Sequence, residues 1–400
     1  VYITPNIVNL QELSFTGTGN SRYDIKAGVQ LTGEKRLFGY VRVEDGDVHQ
    51  LLSLGNVQIP DLNGKLRGTI DLGGTSDDPR IEVKGSIADV TVRNEVVGNA
   101  TIDAAYGGRT VDIHTFTLPI QQGLIAAKGK ADLDGSTDIQ VVASKVPVAT
   151  LLPLVTQDMQ GSGDWNFIIN VNGQTKSPKI EFSSEVEHAV VNGIGLDQLS
   201  LLGTMEDHVL RIQQGMIKKA DSSIKLRGNM PVSAFVTSDY ITTDTAKQFD
   251  MYVDMNEANL SVLPLMFREV TAADGDIRGI VHMTGTVDNI LANGNVELKA
   301  GTLQVKSLRK PFEDLKGQLL FRGNHVDIVG STTMGKGNAG ISGNIGWMGS
   351  KITSYYGALQ MKGLDVVHPF YTGPLDGELY IVNRQELPTL VGAISLHDVV

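Results

Sequence analysis

The stretches that come nearest to a reactive site are rich in glycine. Gly330 to Gly337, GSTTMGKG, has the G-x-x-x-x-G-K spacing of a phosphate loop but no Ser or Thr after the lysine to hold magnesium. Gly335 to Gly340, GKGNAG, has the spacing G-x-G-x-x-G. Both motifs work only between a strand and a helix, because the phosphates rest on the helix N-terminus. The residues that follow, ISGNIGWMGS, read as another β run, so a glycine turn between strands is the stronger reading. Asp132, Asp134, Gly135 and Asp138 have part of the spacing of a calcium loop but lack its other ligands and its closing glutamate, so they read as a tight turn. The eight histidines stand singly at 49, 114, 188, 208, 282, 325, 368 and 397, with no zinc-ligand spacing. No G-x-S-x-G elbow and no distinct carboxylate pair is present. The expectation is a protein that is not an enzyme, with no catalytic residues, no cofactor and no metal.

The composition narrows the partners. The 400 residues carry a net charge of −11, from 34 Lys and Arg against 45 Asp and Glu. A nucleic-acid partner needs a basic face, which this balance argues against. The chain has no cysteine, hence no disulfide framework and no thiolate metal site. No run of 18 apolar residues is long enough to cross a bilayer as a helix. The chain starts at Val1 without a methionine and stops at Val400 inside a β-like run. We expect it to be a fragment of a longer protein.

The elements available to position any site are strands. Trp165, Phe167, Ile169 and Val171 alternate with residues of the opposite face. Phe249, Met251, Val253 and Met255 alternate with Asp250, Tyr252 and Asp254, and Ile180 and Phe182, Val281 and Met283, and Leu319 and Phe321 pair at the same period of two. Alternation of this kind gives a strand one dry and one wet face. Turn residues end the runs at GGR 107–109, DLDGST 132–137 and RGNH 322–325. Leu and Pro crowd together at 49–54, 149–155, 260–267 and 367–371, where short helical turns are expected. The dry faces must meet something. Two sheets of this chain could close on each other as a sandwich. Alternatively, one sheet could curl into an open gutter that takes lipid acyl chains. In the gutter, a charge at mid-face such as Met251→Asp or Phe321→Arg is expected to block function and leave the β content intact.

A pattern returns along the chain. Gly64, Gly163, Gly275 and Gly373 each open a β run with a polar turn. Pro79, Pro178 and Pro388 follow at the same offset, with Ile290 at that place in the third copy. Gly68, Gly279 and Gly377 each sit four residues after the opening glycine, whereas the second copy has Trp165–Asn166 in that part of the pattern. Phased copies of this kind mark a repeat array. The units are 1–63 (the end of a preceding repeat), 64–162, 163–274 with a polar insertion near 236–247, 275–372, and 373–400 as the start of another.

This repeated opening pattern, clearest in GDIRGIVHMTGTVDNILANGNVELKAGTLQV at 275–305 and in GKLRGTIDLGGTSDDPRIEVKGSIADVTV at 64–92, resembles the long TamB and AsmA-like envelope proteins. The resemblance covers 64–400 and, more faintly, 1–63. It implies an all-β, elongated, repeating β-groove, a curled and open sheet with short helical turns between repeats. It further implies a place in the periplasm of a diderm bacterium, with an inner-membrane anchor outside these residues. The implied function is conduction of phospholipids between inner and outer membrane. An alternative is a scaffold that helps to insert outer-membrane and autotransporter proteins by β-augmentation; a structural or adhesive β-repeat is a further one. The implied partners are phospholipid acyl chains and an outer-membrane β-barrel protein met through other regions. The groove candidates are Trp165, Phe167, Ile169, Val171, Ile180, Phe182, Phe249, Met251, Val253, Met255, Val281, Met283, Leu319 and Phe321. If the chain made roughly 30 strands at about 4.8 Å spacing, its sheet would extend on the order of 140 Å.

Overall fold

A computed structural model of the chain describes residues 1–54, 62–92, 95–152, 161–191, 193–232, 248–267, 269–349, 351–384 and 387–397. The polar insertion expected near 236–247 lies outside them. The chain divides into two compact units, Val1–His188 and Ala189–Val400.

The first unit begins with β1 (Tyr2–Thr4), β2 (Ile7–Thr16), β3 (Arg22–Gln30) and β4 (Leu37–Asp47). Helix α1 (Val48–Leu54) leads to β5 (Leu62–Gly74), β6 (Pro79–Val92), β7 (Glu95–Gly107), β8 (Thr110–Ile120), β9 (Gly123–Asp132) and β10 (Ser136–Pro147). Helix α2 (Val148–Leu151) then precedes β11 (Gly161–Gln174) and β12 (Ser177–Val191), whose last three residues belong to the second unit. The second unit continues with β13 (Ile194–Gly195), β14 (Gln198–Glu206), β15 (Val209–Lys219), β16 (Ser222–Pro231) and β17 (Gln248–Asn259). A 3₁₀ turn at Leu260–Val262 runs into α3 (Leu263–Met266). The remaining strands are β18 (Val270–Thr286), β19 (Asn289–Val305), β20 (Glu313–Gly323), β21 (His325–Met334), β22 (Gly337–Met348), β23 (Lys351–His368), β24 (Tyr371–Arg384) and β25 (Leu387–Leu396).

The fold is thus all-β, antiparallel and open. Each defined register joins a strand to its predecessor or successor in the chain, as in β5–β6, β9–β10 and β23–β24. Pairing is set by hydrophobic period. In the first unit Ile70, Val83, Ala104, Ile113, Gly129, Ile139 and Val171 are successive cross-strand partners. One position along, Thr69, Lys84, Asp103 and Thr115 form a polar row on the other face. In the second unit Leu226, Val253, Val281, Gly294, Phe321, Val326 and Ile345 make the apolar row. Arg227, Tyr252, His282, Asn293 and Arg322 make the polar one. A slip of one residue would turn every apolar side chain of a strand to the wet face, so amphipathic pairing holds the register.

The helical turns follow breaks in that register. A bulge falls between Val43 and Gly46 before α1, between Ala143 and Val146 before α2, and between Asp254 and Ala258 before the 3₁₀ turn and α3. A bulge bends its strand and ends regular pairing. The helical residues then cover the end of the dry face. Val48 is buried against Val43 and Leu66, with Leu51 and Leu52 beside them, and Leu151 packs on the cluster that includes Val146. The fourth expected helical stretch, 367–371, is corrected by the structure. Val367 pairs with Thr372 and His368 with Tyr371, so Pro369 and Phe370 are the two-residue turn of the β23–β24 hairpin. The proline that suggested a helix works there as a turn residue.

The other turns lie where turn residues mark them. Gly108 and Arg109, with φ of 58° and 60°, join β7 to β8, as a type I′ hairpin requires. The phosphate-loop-like stretch is also a hairpin: Met334 pairs with Gly337, and β22 follows where a nucleotide site needs a helix. The opening glycines at 163, 275 and 373 take φ of 132°, 136° and 154°, a region that side-chain-bearing residues rarely enter.

Candidate functional site: an apolar sheet face

All fourteen groove candidates lie on strands, but they differ in what covers them. On β11, Trp165, Phe167, Ile169 and Val171 stand opposite Val146, Ala143, Val141 and Ile139. The Trp165 and Phe167 rings meet edge to face at 5.2 Å. The Trp165 indole donates to Ser184 Oγ on β12 at 2.8 Å. Phe167 packs on the first unit's largest cluster, which includes Ile120, Ala143 and Val146. Ile180 and Phe182 on β12 are half-buried.

In the second unit the structure brings the remaining eight into two adjoining clusters. Phe249 and Met251 are buried with Ile212, and Met251 faces Met283 across the strand pair. Val281 is buried with Ala292 and Val296, against Val253, Met255, Met283, Leu319 and Phe321. Trp347 joins that cluster and donates its indole N–H to the Ile290 carbonyl at 2.8 Å. These positions are at once the dry face of the sheet and its local core.

Within the second unit, apolar side chains that a ligand could reach lie further on, over β21–β25. Ile341 is 47% exposed, Ile381 46% and Leu390 62%. Ile328, Ile341, Ile345, Ile352, Tyr355 and Ile381 line an apolar depression of about 260 Å³. Two facing glycines make its floor, since Gly343 pairs with Gly357 and Gly357 with Ile381. With no side chain at those points, the isoleucines around them keep their methyls uncovered. The buried Tyr355 hydroxyl has no hydrogen-bond partner among the described residues. Pattern reasoning missed these residues because glycines break up the apolar alternation in 337–346. Glycines in the dry parity of neighbouring strands were the available signal.

The wet face carries solvated cross-strand polar ladders. His114 Nδ1 lies 2.8 Å from Asp103, and Lys130 lies 2.8 Å from Asp112. In the second unit Arg227 sits over the Tyr252 ring, which stacks on His282, whose Nε2 lies 2.8 Å from Asp250. Exposed pairs of this kind each contribute about 0–1 kcal/mol. Among the described residues no group of three or more His, Asp or Glu side chains converges to hold a metal.

One carboxylate links three segments near the end of the sheet. Asp376 on β24 accepts the backbone N–H of Gly363 and pairs with His397 Nε2 at 2.9 Å. The Gly363 bond first, and then His397, hold its carboxyl below the ordinary carboxylate range. A folded-state pKa below the unfolded one stabilises the fold above about pH 4, and that contribution is lost as pH falls through the lower value. Acid unfolding followed by circular dichroism is therefore expected to start at a higher pH in Asp376→Asn at fixed salt. An unchanged acid limb would remove this role.

No protein-family model matches the chain, and no curated protein matches it.

Proposed function

We propose that the chain takes up phospholipid acyl chains on its apolar sheet face and passes them along without chemistry, as a periplasmic segment of a TamB or AsmA-like envelope protein. The observation that carries this reading is the open dry face with aliphatic side chains left uncovered at Ile341, Ile381 and Leu390. A monomeric soluble protein rarely leaves contiguous apolar surface without a use. The sheet curls lengthwise in this proposal, so that tails lie in the groove and headgroups stay in water at its open seam. An acyl chain of about 16 carbons gives up on the order of 12 kcal/mol of burial on entering water, at about 0.8 kcal/mol per CH₂. A dry path removes most of that barrier and needs no catalytic residue. The outer-membrane β-barrel partner and the inner-membrane anchor belong to regions outside these residues.

Lipid mass spectrometry on the washed, organically extracted protein tests this. The expected result is co-purifying phospholipid that falls at least about tenfold in the double variant Ile341→Asp, Ile381→Asp, because a carboxylate against an acyl chain costs more than about 1.4 kcal/mol. Both positions are half-exposed, so the far-UV spectrum is expected to stay unchanged. A folded wild-type protein free of lipid would reject the proposal.

A further inference from the structure

The filled part of the second unit's dry face and its open part meet between β20 and β21. Leu319, which packs on the Val281 cluster, is the cross-strand partner of Ile328, which lines the open depression of about 260 Å³. Strands β19 to β23 are each paired on both sides, so this border is complete within the chain.

One side chain crosses the border. Trp347 stands on β22, yet its indole packs on the Val281 cluster and donates to the Ile290 carbonyl on β19. Strands β20 and β21 lie between those two, so the indole passes over them. Its own neighbours belong to the depression: Ile345 precedes it by two residues on β22, and Ile352 is its partner on β23. The pairing shifts between Gly346 and Trp347, and such an irregularity re-aims a side chain.

The residue is also pinned. Its backbone N–H donates to the Asn324 carbonyl in the β20–β21 turn at 2.9 Å, and its side chain bonds the Ile290 carbonyl at 2.8 Å. The turn that follows rests on the β18–β19 turn, where a Cβ added to Gly349 would come within 3.2 Å of the Val287 carbonyl oxygen. Trp347 remains half-buried, so part of the indole is left for a ligand to touch. A ring already fixed in this way gives up little further freedom when a ligand meets it.

We infer that Trp347 is the wall that ends the acyl site. The tail of a chain seated on Ile328, Ile345 and Ile381 stops against the indole, which sets the chain length that the depression accepts and keeps lipid out of the filled clusters. The inference rests on the lipid reading and adds to it a limit on the length of the chain.

Binding of single-chain lysophosphatidylcholines, decanoyl to octadecanoyl, tests it. Each methylene taken into the depression is worth about fourfold in affinity. In wild type the affinity is expected to climb with chain length and then level off. In Trp347→Ala the climb continues, and the octadecanoyl probe binds at least about tenfold tighter than to wild type while the decanoyl probe changes less than about twofold. Trp347→Ala also empties part of a packed cluster, so a second measurement leaves the residue in place. The chain has two tryptophans, and in Trp165→Phe the emission is that of Trp347 alone. A probe brominated at its chain end is expected to quench that emission more than one brominated beside the headgroup. The same level-off in Trp347→Ala as in wild type, or none in wild type, would overturn the wall and leave the lipid reading standing. So would equal quenching by the two brominated probes once bound. A folded wild type that binds none of the probes would overturn the lipid reading, and the wall with it.

Discussion

Met251→Asp lowers the stability of the second unit by about 3 kcal/mol or more, measured as the urea midpoint of the far-UV signal. Met251 is 5% exposed, packed with Ile212 and Phe249, and lies between Gly228 and Met283 on the neighbouring strands. A carboxylate there has no cation to pair with in the cluster. It must either stay ionised in an apolar site or take up a proton, and both cost stability. Met251→Leu keeps the volume and is expected to lose less than about 1.5 kcal/mol. This revises the expectation from alternation alone, in which a charge at mid-face blocks function and leaves the strands intact. That expectation now belongs to the half-exposed Ile341 and Ile381. A Met251→Asp protein with a wild-type midpoint would return Met251 to an open, water-accessible groove.

Gly275→Ala is expected to cost about 2–3 kcal/mol in the same measurement. Gly275 has φ of 136°, and an added Cβ would stand 2.6 Å from both the Ala300 carbonyl oxygen and the Gly301 Cα. Those atoms belong to the backbone of the adjacent strand, so relief requires breaking the β18–β19 ladder at that point. Gly340→Ala is the matched control, because nothing lies within 4 Å of its added Cβ and its φ is ordinary. It is expected to be neutral or slightly stabilising, through the unfolded chain. Equal losses at both positions would show that 275 has no special backbone requirement.

How much of this was visible in the chain depends on the range of the forces involved. The alternation of Phe249, Met251 and Val253 is local, and so is the turn chemistry of Gly108–Arg109, and both appear in the structure as expected. The helical turns after Asp47 and Pro147 were also legible, because Leu-rich runs there interrupt the period of two. Pro369 misled because proline and a neighbouring aromatic suit a hairpin turn as well as a helix start. What sequence could not rank was cover. Trp347 reaches the Ile290 carbonyl from 57 residues away, and that distance is invisible to periodicity. Ile341 and Ile381 are left open by glycines on other strands, a property of the neighbours and not of the isoleucines. The fourteen candidate positions lie on β11, β12, β17, β18 and β20, and their alternation did not separate filled core from reachable surface.

Pairing that runs from strand to strand in chain order has a consequence for how the protein is made. Contacts between chain neighbours have low sequence separation, which favours fast, local folding. As the chain emerges from the ribosome or a translocation pore, each new strand finds its partner already in place. The newest edge is covered as soon as the following hairpin is complete. Such an order of assembly shortens the life of unpaired strands, the species from which β proteins aggregate.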